Sequence, residues 1–280
     1  MRYGITIFPT EYTVPPDELA RLVEERGFDS IWFPEHTHIP ASRRSPWPGG
    51  PELPKEYWHT YDPFVALTAA AAATHELKVA TGVCLIVERD PIVTAKAVAT
   101  LDRLSDGRFI FGIGGGWNAE EMENHGTKFA SRFRLLNERM RAMRKLWTED
   151  EPEFHGKLVD FDKVWSNPKP VQQPHPPIFM GGDGPTTWDR VIEFCDGWLP
   201  ISRQGVLPAN LKRIPELKAK AGAAGRDPDS ISVTLFSTPP NREAVDEAAS
   251  YGVDRVIFSL PCRAPTEVLP VLDEYSKLVE

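Results

Sequence analysis

Apolar residues recur along this chain in two alternating rhythms. Short runs such as Ser30-Ile31-Trp32-Phe33 and Phe109-Ile110-Phe111 have the length and the branched or aromatic content of strands buried on both faces. Between such runs, positions such as Leu19, Leu22 and Val23 repeat at helical spacing, and Gly27 then stops the helix before Phe28 leads back to the core. The pattern predicts strands at 2–8, 30–34, 78–86, 109–114, 177–181, 197–201, 230–237 and 255–260. Helices fit at 15–27, 63–75, 91–104, 129–147, 185–194, 208–222, 242–251 and 265–278. Strand, helix, strand is the parallel unit, and eight of them predict an α/β fold of the (β/α)8 TIM-barrel type, one domain over residues 1–280.

Two stretches exceed what such a barrel needs. Residues 37–62, after strand two, are rich in proline and glycine yet carry Trp47, Tyr57, Trp58, His59 and Tyr61, which reads as a lid or pocket wall or as a surface loop pinned by its own aromatics. Residues 151–176, before strand five, alternate around Phe154, Leu158, Val159 and Phe161 and predict a short hairpin, a surface for covering a cofactor or for a second subunit.

Composition narrows the class. Hydrophobic residues make up 41% of the 280, enough to fill a barrel core, and no linker or low-complexity stretch divides them. The chain enters its first strand at once, and no apolar run reaches membrane-spanning length, so a cytoplasmic protein that does not engage a membrane is expected. Cys84, Cys195 and Cys262 lie too far apart for a Cys-x-x-Cys pair and read as small buried hydrophobes. A net charge of -8 argues against nucleic acid as a partner. The basic run Arg132, Arg134, Arg139, Arg141, Arg144 and Lys145 on one helix reads mostly as a solvated face.

Chemistry concentrates where strands end. Strand two finishes in Pro34-Glu35-His36, and in this fold the carboxyl ends of strands form the active-site mouth. Because side chains alternate along a strand, one of Glu35 and His36 points into the mouth and the other toward a neighbouring unit; His36 suits proton transfer near neutral pH. His36-x-His38 also matches the metal-binding strand ends of amidohydrolase-type barrels. That reading, a metal-dependent hydrolase, needs further ligands, and the ends of strands five, six and eight offer no histidine and strand eight no aspartate, so no metal is expected. Strand four runs into Gly112-Ile113-Gly114-Gly115-Gly116-Trp117-Asn118, and strand five into Gly181-Gly182-Asp183-Gly184-Pro185 just before a helix. Free amides and a helix N-terminus there suit a phosphorylated cofactor.

Those residues also carry a resemblance. The run from Ala99 to Phe109, leading into Gly112-Ile113-Gly114-Gly115-Gly116-Trp117, is similar to the signature of bacterial luciferase-like oxidoreductases. Further matches fall in order along the chain: Pro34-Glu35-His36, Thr81-Gly82-Val83, Arg132 with Glu138 and Trp147, Pro177 to Pro185, and Asp196-Gly197-Trp198. The resemblance implies a barrel enzyme using the deazaflavin coenzyme F420 or flavin mononucleotide (FMN), with a small-molecule substrate and commonly a homodimer. The compact length, the Glu35-His36 pair and the Gly-Gly-Gly-Trp turn are closer to the deazaflavin branch; the FMN-dependent monooxygenases tend to be longer. In that branch the segment aligned with Gly82-Val83 often carries a non-prolyl cis peptide. The resemblance then implies that Gly82, Val83, Cys84, Asn118, Gly181 and Gly182, with Asp183 and Gly184 at the phosphate turn, line the coenzyme. It places His36 near the reacting carbon as the catalytic proton group, with Glu35 also lining the coenzyme and either tuning His36 or bonding the cofactor ring. Trp47, Trp58, Tyr61 and Trp117 point to an apolar or planar substrate. Sugar-phosphate dehydrogenases of the branch carry a glutamate where Trp117 stands, which counts against a sugar phosphate.

Overall fold

The computed structural model of the chain describes residues 1–202, 207 and 209–279. Eight parallel strands close into a barrel in chain order: β1 (Arg2–Thr6), β2 (Ser30–Phe33), β3 (Lys78–Thr81), β4 (Phe109–Gly114), β5 (Ile178–Gly181), β6 (Gly197–Leu199), β7 (Ser232–Leu235) and β8 (Arg255–Ser259). Closure falls between β8 and β1, with Arg2 opposite Arg255 and Thr6 opposite Ser259. Around it lie α1 (Pro16–Glu25), α2 (Pro63–Ala72), α3 (Pro91–Leu104), α4 (Arg132–Thr148), α5 (Thr187–Phe194), α6 (Ile214–Ala223), α7 (Arg242–Ser250) and α8 (Pro265–Ser276). The expected TIM barrel is the observed fold.

Alternation along the strands builds two apolar layers. Trp32, Ala80, Ile110, Phe179, Leu199 and Ile257, from six of the eight strands, fill the barrel interior. Their neighbours, such as Ile31, Val79, Phe109, Ile178 and Phe258, turn outward and pack against the helices. Each such side chain contributes about 1.5–3 kcal/mol on full burial. The large Trp32 indole is accommodated because β1 presents Gly4, where a Cβ would sit 2.7 Å from Ser30 Oγ and 3.1 Å from the indole nitrogen. That nitrogen donates to Ser30 Oγ at 2.9 Å, so the buried N–H is satisfied. At the amino-terminal end of the barrel, Arg255 is 1% exposed and its guanidinium grips both carboxylate oxygens of Asp29 at 2.8–3.1 Å.

Helix starts follow local chemistry. Asp62 accepts from the amides of Phe64 and Val65, and Asp90 from those of Ile92 and Val93, each one residue before a proline at the first helical position. Differences from the sequence reading are local. The expected third strand, 78–86, ends at Thr81; a cis peptide joins Gly82 to Val83, as the resemblance implied, and the ladder resumes at Cys84–Leu85 beside β4. The helix expected from Phe129 begins with a 3-10 turn, Phe129–Ser131, before Arg132. The helix expected from Pro208 starts on a residue outside those described; among the described residues a 3-10 segment, Ala209–Arg213, precedes α6. The hairpin in the second insertion pairs Phe154–His155 with Asp160–Phe161. Two short helices, Glu56–His59 and Ala119–Asn124, escaped the periodicity because one or two turns are too short to show it. No described helix is long and apolar enough to cross a membrane.

Candidate active site

At the carboxyl ends of the strands the barrel opens into a cavity of 380 Å³. His36, Glu35, Val83 and Trp117 line it, together with Tyr57, Phe236 and Cys262 from three other segments of the chain. A second hollow of 540 Å³ lies outside the barrel between α4 and the hairpin, lined by Arg134, Arg141, His155 and Lys157 and by none of the mouth residues.

Glu35 and His36, just past the end of β2, both reach the cavity but turn to different partners. Glu35 is 3% exposed; one oxygen accepts from the Leu85 amide at 2.6 Å and the other pairs with the Arg89 guanidinium, which also reaches Asp62. Its carboxylate is thus tied to β3's continuation and to the start of α2. His36 turns to the fully buried Glu121, whose Oε2 lies 2.8 Å from Nδ1. A deprotonated Glu121 only accepts, so Nδ1 carries the hydrogen and Nε2 is the ring nitrogen left to exchange a proton. The other Glu121 oxygen accepts from the Thr37 amide at 3.2 Å.

Glu121 stands on the short helix Ala119–Asn124, capped by Asn118, whose side chain accepts from the Glu121 amide at 3.3 Å. Its neighbour Glu120 holds the far side of the same loop, accepting from Ser42, from Arg44 at 3.0 Å and from the Ser45 amide at 2.6 Å. With the Ser42 hydroxyl as the main cause, the Glu120 carboxyl is held down at about 2. Two adjacent carboxylates therefore anchor the first part of the 37–62 loop, one at Thr37 and one at Ser42 to Ser45.

The loop aromatics separate. Tyr57 is central, with ring centroids 4.6 Å from Phe8, 5.1 Å from His36, 5.6 Å from Trp47 and 6.4 Å from Trp117. Trp117 also meets His36 edge-on at 5.9 Å. Of the four aromatics expected at the substrate pocket, Trp117 lines the cavity and Trp47 backs Tyr57, whereas Trp58 and Tyr61 are 50% and 39% exposed outside the cavity lining.

The residues expected at the cofactor spread over the mouth. Gly82 and Val83 line the cavity. The methyls of Val83 lie 2.6 Å and 3.1 Å from where a Cβ would stand at Gly114 and Gly181, so glycines on β4 and β5 leave the room that Val83 takes. Cys84 is fully buried, and burial beside Glu35 pushes its thiol up. Asn118 serves as the cap described above. Gly182, at φ +101°, turns the chain after β5 and accepts from the Trp198 indole at 2.7 Å; Asp183 and Gly184 are exposed before α5. At this edge Phe133 lies between two cations, with Arg132 and Arg190 at 4.4 Å and 4.3 Å from its centroid. Arg190 is spent on Asn137 and Thr186, while Arg132 Nε is buried without a partner among the described residues.

His36 and His38 do not act together. Both His38 nitrogens are engaged, with Thr37 Oγ1 and the Asn124 amide at 2.9 Å each. Among the described residues no group of three or more His, Cys, Asp or Glu is arranged to hold a metal ion.

Sequence reasoning placed Glu35, His36 and Trp117 at this mouth and named Tyr57 only among the aromatics of the 37–62 loop, but missed Glu121, Arg89 and Cys262 as site residues. Asn118 followed by Glu120 and Glu121 is a readable helix start, with a cap and acidic residues in the first turn. Nothing in it announces the histidine 85 positions upstream.

Comparison with known proteins supplies the context. The family model for luciferase-like monooxygenases matches residues 15–268. An uncharacterised protein of Mycobacterium tuberculosis is 38% identical over 268 residues, 94% of this chain and 93% of its own. An F420-dependent glucose-6-phosphate dehydrogenase of Amycolatopsis mediterranei is 30% identical over 225 residues, covering 78% of this chain and 62% of that one. An FMNH(2)-dependent dimethylsulfone monooxygenase of Pseudomonas putida is 32% identical over 160 residues, 56% of this chain and 43% of its own. A solved monooxygenase structure from Streptomyces bottropensis superposes with TM-score 0.81 at 20% identity, covering 100% of this chain and 98% of that one.

Proposed function

The chain belongs to the luciferase-like monooxygenase family, and on that premise we propose that it is an oxidoreductase that moves a hydride between coenzyme F420 and a small organic substrate. The observation that carries this reading is His36: a cavity-lining imidazole, beside the Gly82-Val83 floor, with Nδ1 fixed by a buried carboxylate and one nitrogen left for a proton.

The residues present fit such a coenzyme. A 380 Å³ mouth is within the range of small-molecule sites, about 300–1,000 Å³. Gly82 and Val83 would back the ring; Arg132, with its orphaned Nε, and the amides leading into α5 would hold a phosphate. When bound, the deazaflavin supplies the hydride chemistry. The chain's own part is to orient the substrate against Tyr57 and Trp117, to keep water out, and to hold or deliver a proton at His36 Nε2. These walls favour an apolar or planar substrate. Trp117 offers no acid where sugar-phosphate dehydrogenases of the branch have one, so we favour a substrate other than a sugar phosphate.

The second reading is an FMN-dependent monooxygenase, favoured by the dimethylsulfone monooxygenase likeness, which covers less of the chain than the F420-dependent one. Titrating the protein with oxidised F420 and, in parallel, FMN, followed by fluorescence quenching, decides between them. Selective saturable F420 binding supports the first reading, and FMN preference supports the second. We also propose a homodimer that uses the second insertion, where Leu158 and Trp165 stand 39% and 82% exposed. Light scattering of the native protein and of a Trp165→Glu variant tests it, a monomeric native protein overturning the proposal.

A further inference from the structure

The barrel has a second opening, at the amino-terminal end of its strands. A hollow of 250 Å³ lies there, roofed by Ile110 and Phe179 of the interior layer, and it shares no lining residue with the mouth. Strand alternation decides what faces it. Trp32, Ala80, Ile110 and Ile257 point into the barrel, and Gly4 faces Trp32. The residues two positions earlier, Ser30, Lys78, Arg108, Arg255 and Arg2, therefore stand at the strand starts on that same inner side. Arg2 and Arg255 are partners in the ladder that closes the barrel, and the Arg255 guanidinium lies 5.8 Å from the centre of the Trp32 ring.

Four cations line the hollow, Arg2, Lys78, Arg108 and Arg255, against one carboxylate, Asp196. Two of the four are spent. Arg255 holds both oxygens of Asp29, and Arg108 folds back to the carboxyl end of α2, donating to the carbonyls of Ala71, Thr74 and Leu77. One oxygen of Asp196 accepts from the Ile178 amide at 2.8 Å. Lys78 Nζ and the Arg2 guanidinium make neither a hydrogen bond nor an ion pair among the described residues, and the Ser232 hydroxyl, which lines the same hollow, is likewise without a partner.

Positive charge gathered in this way is unfavourable without a counter-ion. Lys78 is half-buried, and its burial, together with the Arg255 and Arg2 charges, lowers its proton affinity against the pull of Asp29. A dianion between Lys78, Arg2 and Ser232 takes hydrogen bonds from an ammonium, a guanidinium fork and a hydroxyl, donors that suit a tetrahedral oxyanion. Size agrees, because 250 Å³ falls below the range of about 300–1,000 Å³ usual for drug-sized ligands.

We propose that the base of the barrel is a binding site for a phosphate group, free or as a monoester, held by Lys78, Arg2 and Ser232 in the cationic field of Arg255 and Arg108. The bound anion bridges β1, β3 and the start of β7 beside the β8–β1 seam, and so stabilises the fold from the face opposite the mouth. The site is independent of which coenzyme the mouth takes.

Calorimetric titration of the whole protein at fixed ionic strength, in a slightly alkaline buffer that keeps phosphate a dianion, tests this with inorganic phosphate and, in parallel, glycerol phosphate. Saturable binding is expected. Lys78→Met and Arg2→Gln should each weaken it about tenfold or more, the loss of a charge-assisted hydrogen bond. Arg132→Met, at the edge of the mouth, should leave it unchanged. Tighter binding of glycerol phosphate assigns the site to a monoester, and tighter binding of inorganic phosphate to the free ion. Absence of saturable binding, or equal binding by the native protein, Lys78→Met and Arg2→Gln, overturns the proposal. Binding lost in Arg132→Met alone overturns it too, because the anion then sits at the mouth. Should Lys78→Met fail to fold, Arg2→Gln, changed at an exposed position, decides.

Discussion

His36 Nδ1 lies 2.8 Å from Oε2 of Glu121, a carboxylate with no exposed surface that reaches the imidazole across 85 residues of sequence. On the proposed reading this pairing orients the proton group of the mouth, because a buried carboxylate at Nδ1 holds the ring direction and favours the tautomer that leaves Nε2 free.

Replacing His36 by alanine should lower kcat by about a hundredfold or more, the range of general acid–base catalysis, with coenzyme affinity retained. Steady-state kinetics alongside the binding titration checks this. Unchanged turnover with intact binding would remove His36 from the mechanism.

Glu121→Gln keeps the size of the side chain and removes its charge. His36 should then protonate at lower pH and the acidic limb of the pH–rate profile should move down with it, while the 37–62 loop loses its bond to an anion at Thr37. A profile identical to wild type would show that the pair is only structural.

Arg89 neutralises Glu35 under cover, with side chains 18% and 1% exposed. Arg89→Ala should cost about 3–5 kcal/mol, since it strands a buried carboxylate, and the double variant with Glu35→Gln should recover part of that. Urea unfolding of the three variants measures the coupling. Strict additivity would refute it.

Gly112 on β4 permits the closest approach in the barrel wall. A Cβ there would sit 2.0 Å from the Thr81 carbonyl oxygen, a backbone atom that cannot swing aside, and the Gly112 carbonyl accepts from Thr81 Oγ1 at 2.7 Å. Gly112→Ala should destabilise by about 3 kcal/mol or more. A neutral outcome in denaturant melts would mean that β3 and β4 part readily.

Two carboxyls give opposite pH dependences. Glu88, 7% exposed at the end of the 3-10 turn Ile86–Glu88 and raised by burial from 4.5 to about 9, stays protonated in the folded state where the unfolded chain has released its proton. Its contribution therefore makes stability fall as pH rises through that window. Glu120, lowered from 4.5 to about 2, contributes stability that is lost as pH falls between those values. Melting temperatures of Glu88→Gln and Glu120→Gln against wild type should differ in slope above and below about 4.5 respectively. Parallel curves would contradict the assignment.

Much of this protein was determined by the sequence alone, where the determinants are local. Strand and helix order follow from short continuous apolar runs and period-3.6 burial, the helix starts from Asp62-Pro63 and Asp90-Pro91, and the mouth position of Glu35 and His36 from their place just past the end of β2. The family was legible too, because its motifs are ordered along the chain. Tertiary structure alone decided which groups meet. It put Tyr57 at the centre of the aromatics and left Trp58 exposed, a choice made by which side of the single-turn helix Glu56–His59 meets the barrel. It also gathered Glu35, Glu88 and Glu121 from three separate segments into one buried cluster with His36. Their charge states depend on desolvation and on mutual distance, and neither quantity exists until the chain has folded.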